Sequence, residues 1–390
     1  MNSLSRKNIV LIALAVALTM TIGRLVKSNF HISYFIVAGT DFVDTTKTLS
    51  PVIVQPGQGY DGQFFYRYAL NPLNFKKDAL GVNVDHPPYR VQRIAYPVLS
   101  WLFSFGGIPR MVPWAMVIVN ILAFAGIFFY LAQFIVLVGG NMRQGLLPLF
   151  LCGLYMSLGR DLSEVVELFF LTGTIYYLFR NNYLLCSIFA TCTILTRDTS
   201  IIALLPLLGC TFIYGYMRKK KRLQLVFLFL PFIIFAAWKV FIYYNMPSLA
   251  DTTIGYTSIG APFKGIVDGF MVNFDLTNTK NKLQFLFWIG YLTWNIFFVG
   301  TMLKTIFSRS NNGCDLISIL KITYLSWLAF ALCFSLNIYT DDWGFVRIFS
   351  QWNMIGFLIL IASHKKTSKP FNYFSVVMAV LTIVRLVVRV

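Results

Sequence analysis

The chain reads as an all-α polytopic membrane protein with about 11 transmembrane helices and a long first extracytoplasmic loop containing interfacial helices. Hydrophobic runs of membrane-spanning length recur from end to end. Hydrophobic residues make up 57% of the chain and charged residues 12%, about half the charged share of a soluble domain. The basic residues behind the net charge of +18 gather in short segments between the runs. No interval is long or polar enough for a separate globular domain, so residues 1–390 form a single integral membrane domain.

Taken in order, the first run covers 8–26 and follows Arg6 and Lys7. It reads as an uncleaved helix, because the weak A-x-A pattern at Ala15 and Ala17 comes early and the run continues past it. Residues 27–111 are the longest non-hydrophobic interval. Within them RIAYPVLSWLFSF, 93–105, is too short to cross and suits a helix lying in the interface. About ten further spans fall in 112–390, near 112–138, 146–159, 165–180, 183–196, 199–216, 223–244, 284–303, 317–338, 345–362 and 371–388. Several are shorter than the roughly 20 residues of an untilted span, and short helices meeting at an outer turn need shelter from their neighbours.

Loop charge sets the orientation. Placing MRKKKR at 217–222 and HKKTSK at 364–369 inside also puts the N-terminus, Arg143, Arg180, Lys304 and Arg309 inside. Segments 27–111, 160–164, 197–198, 245–283 and 339–344 then face outward. The chain has 15 acids, and all but Asp315 fall in an outward segment or within a turn of one. Carboxylates contribute little to topology themselves. Their one-sided placement reflects either simple charge balance or a site on that face.

Nucleic-acid binding is disfavoured, because the cations sit in inter-helix loops and no basic groove with interleaved aromatics is evident. None of the six cysteines falls in the long polar loop, and three histidines without a Cys/His cluster give no zinc pattern. P-loop, G-x-G-x-x-G, H-E-x-x-H and G-x-S-x-G motifs are absent, which argues against a cytoplasmic nucleotide-using enzyme.

The outer loop carries GYDGQFFYRYALNP, 59–72. Asp61 there suits a helix N-cap worth about 1 kcal/mol. The helix it would start places Gln63 and Arg67 on one face among Phe64, Phe65, Tyr66 and Tyr68. Carboxylate, amide, guanidinium and aromatics together suit an amphiphilic ligand with hydroxyls and a phosphate. The following DHPPYRVQR, 85–93, adds Arg90 and Arg93, suited either to bidentate phosphate recognition or to headgroup anchoring. At 159–167, Asp161 and Glu164 are three apart, and Glu167 extends the same helical face into the membrane, where acids are costly. Arg197 with Asp198, and Asp341-Asp342 with Arg347, mark two more outer turns, though Asp198 or Asp341 can simply cap a helix. Lys239 can snorkel outward. Candidate phosphate ligands are Arg67, Arg90 and Arg93, and candidate substrate contacts are Tyr60, Gln63, His86, Tyr89 and Gln92.

A long first outer loop with a carboxylate, an interfacial helix, short middle spans and a second acidic turn resemble the GT-C membrane glycosyltransferases. More narrowly, YDGQFFYR, PPYRVQRIAYPVLSWL, RDLSE and LTRDTS resemble a bacterial group associated with cell-surface glycopolymer formation. The detailed likeness covers about residues 55–200 and only the general architecture beyond. Where that group often carries LTRET, this chain has LTRDTS, which keeps the charge and shortens its reach. The resemblance implies an extracytoplasmic active site in the inner (plasma) membrane, a polyprenyl-phosphate-linked sugar as donor and a surface glycan or lipid-linked acceptor. It implies Asp61 as general base and Arg90, Arg93 or Arg347 at the leaving phosphate. Asp161 and Glu164, with Glu167 and Asp198 nearby, would serve the acceptor or a divalent cation such as Mg or Mn, since metal use varies among such enzymes.

Other functional classes make different demands. A surface-polysaccharide polymerase or ligase predicts a large outer loop late in the chain, whereas this one is early. An ion-coupled transporter predicts ionisable residues near helix midpoints and two related halves. Neither the sugar nor the acceptor is written in the sequence.

Overall fold

A computed structural model describes residues 4–218, 222–246, 259–308, 315–340 and 342–388. Asp251, Asp341, Cys314 and the centre of the 217–222 basic cluster lie outside the described residues.

The architecture is helical almost throughout. The first half contains α1 (Arg6–Lys27), α2 (Gly62–Leu70), α3 (Pro87–Val91), α4 (Ala95–Phe103), α5 (Val112–Leu137), α6 (Cys152–Arg160), α7 (Glu164–Phe179) and α8 (Tyr183–Thr196). The second contains α9 (Ile201–Met217), α10 (Arg222–Leu225), α11 (Leu230–Asn245), α12 (Lys264–Asn273), α13 (Thr279–Phe307), α14 (Asp315–Leu332), α15 (Leu336–Tyr339), α16 (Asp342–Ala362) and α17 (Lys369–Val388). The segment between α1 and α5 adds two short strand pairs, β1 (Ala38–Gly39) parallel to β2 (Val54–Gln55) and β3 (Asp78–Ala79) antiparallel to β4 (Val82–Asn83).

Seven helices among the described residues are long and apolar enough to cross a membrane, and Tyr183–Thr196 and Leu316–Leu332 are shorter apolar helices. The protein is thus a polytopic helical membrane protein, with fewer full-length spans than the run count predicts. The run at 146–159 shows why. Met142–Phe150 is a 3₁₀ helix with Pro148 inside it, Leu151 is extended, and α6 begins only at Cys152. Proline lacks the donor for a helical bond and clashes with the preceding turn, so the apolar stretch breaks in two. The 317–338 run, which has no proline, is also split, between α14 and α15. By contrast, 93–105 forms the short helix α4, as its length predicts.

Local chemistry places the ends. Ser5 caps α1 by accepting the Asn8 N–H at 3.2 Å, and Asn182 caps α8 by accepting from Leu185. Pro113 and Pro231 sit in the first turns of α5 and α11, where a missing N–H is harmless. Helix α16 is buried along nearly its whole length and forms the axis of the bundle, against α6, α7, α13 and α14.

The two ends of the bundle differ in charge. Asp61, Asp85, Glu164, Glu167 and Asp198 meet at one end, each paired with arginine. At the other, Arg6 bonds Gln133, and Gln144 bonds the Lys365 carbonyl. These five acids, far apart in sequence, therefore gather at one end of the bundle.

Candidate active site

Asp61 occupies the N-cap position of α2, yet its carboxylate makes no capping bond. It bridges two arginines instead. Arg90 Nη1 donates to Oδ1 at 2.8 Å, and Arg347 Nη2 donates to Oδ2 at 3.0 Å. Capping therefore does not account for this residue.

Each bridged arginine also has its own carboxylate. Arg90 is held by Asp85 through Nε (2.8 Å) and Nη2 (2.5 Å), a bidentate fork. Glu164 Oε1 accepts from Arg347 Nε at 2.8 Å and lies 2.7 Å from its Nη2. The same oxygen takes Arg197 Nη1 at 2.7 Å, and Arg197 reaches on to Glu167 at 3.8 Å. Glu167 in turn accepts from Ser200 at 2.5 Å and from Gln351 at 2.9 Å. Beside this chain, Arg93 donates to Asp198 at 2.9 Å and to the Tyr89 hydroxyl. Aromatic faces back the guanidiniums, with Phe64 4.4 Å from Arg90, Tyr89 4.4 Å from Arg93 and Tyr60 5.1 Å from Arg347.

Accessibility divides the acids. The Asp61, Asp85 and Asp198 side chains are 22%, 20% and 24% exposed, whereas Glu164 and Glu167 are 1% and 2% exposed. Asp61 is thus the reachable anion shared by two anchored cations. Burial alone would raise its pKa, but the Arg90, Arg347 and Arg93 guanidiniums outweigh burial and hold the carboxyl well below its ordinary range. A carboxylate so held is a poor base until something else takes its arginines.

Two glycines allow the helices to meet here. A Cβ on Gly62 would lie 2.5 Å from the Arg160 carbonyl oxygen and 2.6 Å from that of Ile36, so only glycine lets the start of α2 rest against the α6–α7 turn. On Gly153 a Cβ would lie 2.9 Å from the Val346 carbonyl and 1.9 Å from Ser350 Oγ, so its bareness brings α6 against the turn of α16 that carries Arg347.

The residues singled out from sequence divide sharply. Asp61, Arg90, Arg93, Arg347, Glu164, Glu167, Asp198, Tyr60 and Tyr89 come together as described. Gln63 does not present its amide to this cluster, because it is buried, accepts from the Gly39 N–H at 3.0 Å and donates to the Gln58 carbonyl at 2.8 Å. Arg67 is also buried, reaching the Asn74 carbonyl at 3.4 Å and the Tyr68 ring, with no carboxylate among its described partners. Spacing of four placed these two on one face, but that face meets the loop scaffold. Gln92 is buried and accepts from Lys239 Nζ at 2.8 Å, which gives Lys239 an internal partner. His86 donates its backbone N–H to Asp85 at 2.7 Å, fixing the acid that holds Arg90.

Asp161 corrects the sequence reading most directly. No helix joins it to Glu164: α6 ends at Arg160, Asp161 is left-handed (φ 49°, ψ 50°), and α7 starts at Glu164. The two acids therefore share no face. Asp161 is fully buried, neither carboxylate oxygen has a hydrogen-bond partner among the described residues, and burial pushes its carboxyl well above the ordinary range against the pull of Arg24. Sequence reasoning missed Ser200 and Gln351, and it left Asp85 and Arg197 without partners. Gln351 follows Arg347 by four and Ser200 follows Arg197 by three, a helical-spacing signal that was present.

Among the described residues no group of three or more His, Cys, Asp and Glu side chains is arranged to hold a metal ion. The concentrated positive charge at this cluster is that of arginine. Comparison with family models, known proteins and solved structures finds no match to this chain.

Proposed function

We propose that this protein is an inverting membrane glycosyltransferase that moves a sugar from a polyprenyl-phosphate donor to a hydroxyl of a surface-glycan or lipid-linked acceptor. The observation that carries the reading is the half-buried but reachable Asp61 spanning two arginines, each anchored by a second carboxylate. By the positive-inside rule the acidic end faces outward and the N-terminus is cytoplasmic, consistent with work at the outer face of the plasma membrane.

The chemistry follows from competition for those arginines. The donor phosphate takes the guanidinium faces that Asp61 occupies at rest, while Asp85 and Glu164 keep Arg90 and Arg347 in place. Freed from its pairing in a partly buried site, Asp61 becomes a stronger base. The acceptor oxygen then attacks the anomeric carbon as its proton passes to Asp61. The bond from that carbon to the phosphate oxygen breaks, its electron pair stays on the phosphate, and configuration inverts. Arg90 and Arg347, with Arg93 nearby, stabilise the charge that develops on the departing phosphate. The ionised network sits in the first two turns of α7 and α16 and at helix-joining turns, rather than at the helix midpoints that ion coupling favours.

The test is transfer of labelled sugar from a panel of polyprenyl phosphates by protein in nanodiscs, with a panel of glycan acceptors. Transfer that is lost in Asp61→Asn supports the reading. Undiminished transfer by that variant removes Asp61 as base, and no transfer from any donor overturns the assignment.

A further inference from the structure

The opposite end of the bundle carries a second arrangement that glycosyl transfer does not use. Arg6 and Glu164 mark opposite ends: α1 rises about 27 Å from Arg6 to Arg24, and α7 rises about 24 Å from Glu164 to Arg180. At the Arg6 end, a cavity of about 390 Å³ is lined by Tyr130, Gln133, Tyr176, Tyr177 and Arg180 among others. A neighbouring cavity of about 280 Å³ is lined by Arg6, Lys7 and Gln133 among others. Phe129 and Gln133 form a wall common to both.

The polar atoms converge along this wall. Arg6 Nη1 donates to Gln133 Oε1 at 3.2 Å, Arg180 Nη1 reaches the Tyr176 hydroxyl at 3.4 Å, and the Tyr130 and Tyr177 hydroxyls lie 3.3 Å apart. No carboxylate lines either cavity. That contrasts with the acidic end, where each arginine of the network has its anion. Three cations, two amides (Gln133 and Asn182) and three phenol hydroxyls around two adjoining cavities are a recognition set for a phosphate ester.

The neighbouring surface specifies its tail. Leu122, Phe129 and Val136 recur at seven-residue spacing along α5 and are 51%, 48% and 51% exposed, with Leu11 of α1 49% exposed beside the cavity. They form an apolar stripe at membrane depth that leads to the cations.

We infer that the adjoining cavities bind the headgroup phosphate of an anionic phospholipid in the leaflet opposite the Asp61 cluster, with Arg6, Lys7 and Arg180 as its cations and the α5 stripe against its acyl chains. Basic pockets between helices are suited to such headgroups, and each cation contributes about fivefold in affinity.

The test is native mass spectrometry of the detergent-purified full chain given phosphatidylglycerol and phosphatidylcholine in equal amounts. Retained phosphatidylglycerol adducts are expected for the wild type. The double variant Arg6→Gln/Arg180→Gln should lose them roughly 25-fold, and Lys7→Gln alone about fivefold. Lys7 is exposed, so its variant keeps the test open should the double variant not fold. Equal retention of both lipids means only a general aromatic belt and overturns the inference, as do adducts unchanged by the substitutions. Displacement by millimolar inorganic phosphate alone marks a soluble-anion site and overturns the lipid assignment.

Discussion

Replacing Asp61 by alanine should abolish sugar transfer and at the same time tighten binding of a bare prenyl phosphate. Asp61 accepts two charge-assisted bonds, at 2.8 and 3.0 Å, that an incoming phosphate must displace. Such bonds contribute about 1.5 kcal/mol each at the low end, or about 3 kcal/mol together. The carboxylate is 22% exposed, so solvent screening reduces this to about 2 kcal/mol, roughly 30-fold in affinity. The arginines stay in place in the variant, because Asp85 and Glu164 hold them separately. Isothermal titration of a short-chain prenyl phosphate into wild-type, Asp61→Ala and Asp61→Asn protein, beside a transfer assay, reads both quantities. Equal or weaker binding by Asp61→Ala refutes the idea that carboxylate and phosphate share one place, even if transfer is lost.

Other perturbations separate further roles. Gly62→Ala forces a Cβ to within 2.5 Å of a backbone oxygen, so α2 must shift and transfer should fall at least tenfold, read as kcat with thermal stability measured alongside. Asp161 keeps its proton in the folded protein over a range where the unfolded chain has lost it, so its stability penalty grows as pH rises above about 4. Asp161→Asn, which tolerates the left-handed backbone, should therefore raise Tm more at pH 8 than at pH 4, and an equal shift at both would exclude this cause. Arg67→Met should leave prenyl-phosphate affinity unchanged and preserve or raise Tm, since it removes a buried cation with no carboxylate partner among the described residues. Arg347→Gln should weaken prenyl-phosphate binding at least tenfold, and unaltered titration would remove it from the phosphate site.

Composition and run length made the helical membrane class legible, and the outer loop stood out by its polarity. Asp61, Arg90, Glu164 and Arg347 were each visible as ionisable residues near apolar runs, where charge needs a reason. Their pairing was not visible, because Asp61 and Arg347 are 286 positions apart and no local pattern links them. Misreadings came from extending a local rule too far. Spacing of four told that Gln63 and Arg67 share a face but not that Gln63 bonds Gly39 and Gln58 while Arg67 bonds Asn74. Spacing of three implied a common face for Asp161 and Glu164, yet a single left-handed residue turns the chain between them. The run at 146–159 is not one helix because hydropathy averages across Pro148 without registering the bond it removes.

The same separation sets a timetable for synthesis. At roughly 5–20 residues per second, the 286 residues from Asp61 to Arg347 take about 15 to 60 seconds to make. For that interval Asp61 has only its nearer cation, Arg90, and Glu164 has only Arg197. A chain stopped before α16 leaves each of these two carboxylates with one cation instead of two, and Glu164 is the one that becomes fully buried. The arrival of α16, late in the chain, therefore completes the charge balance at the head of the bundle, since Arg347 is the cation that Asp61 and Glu164 share.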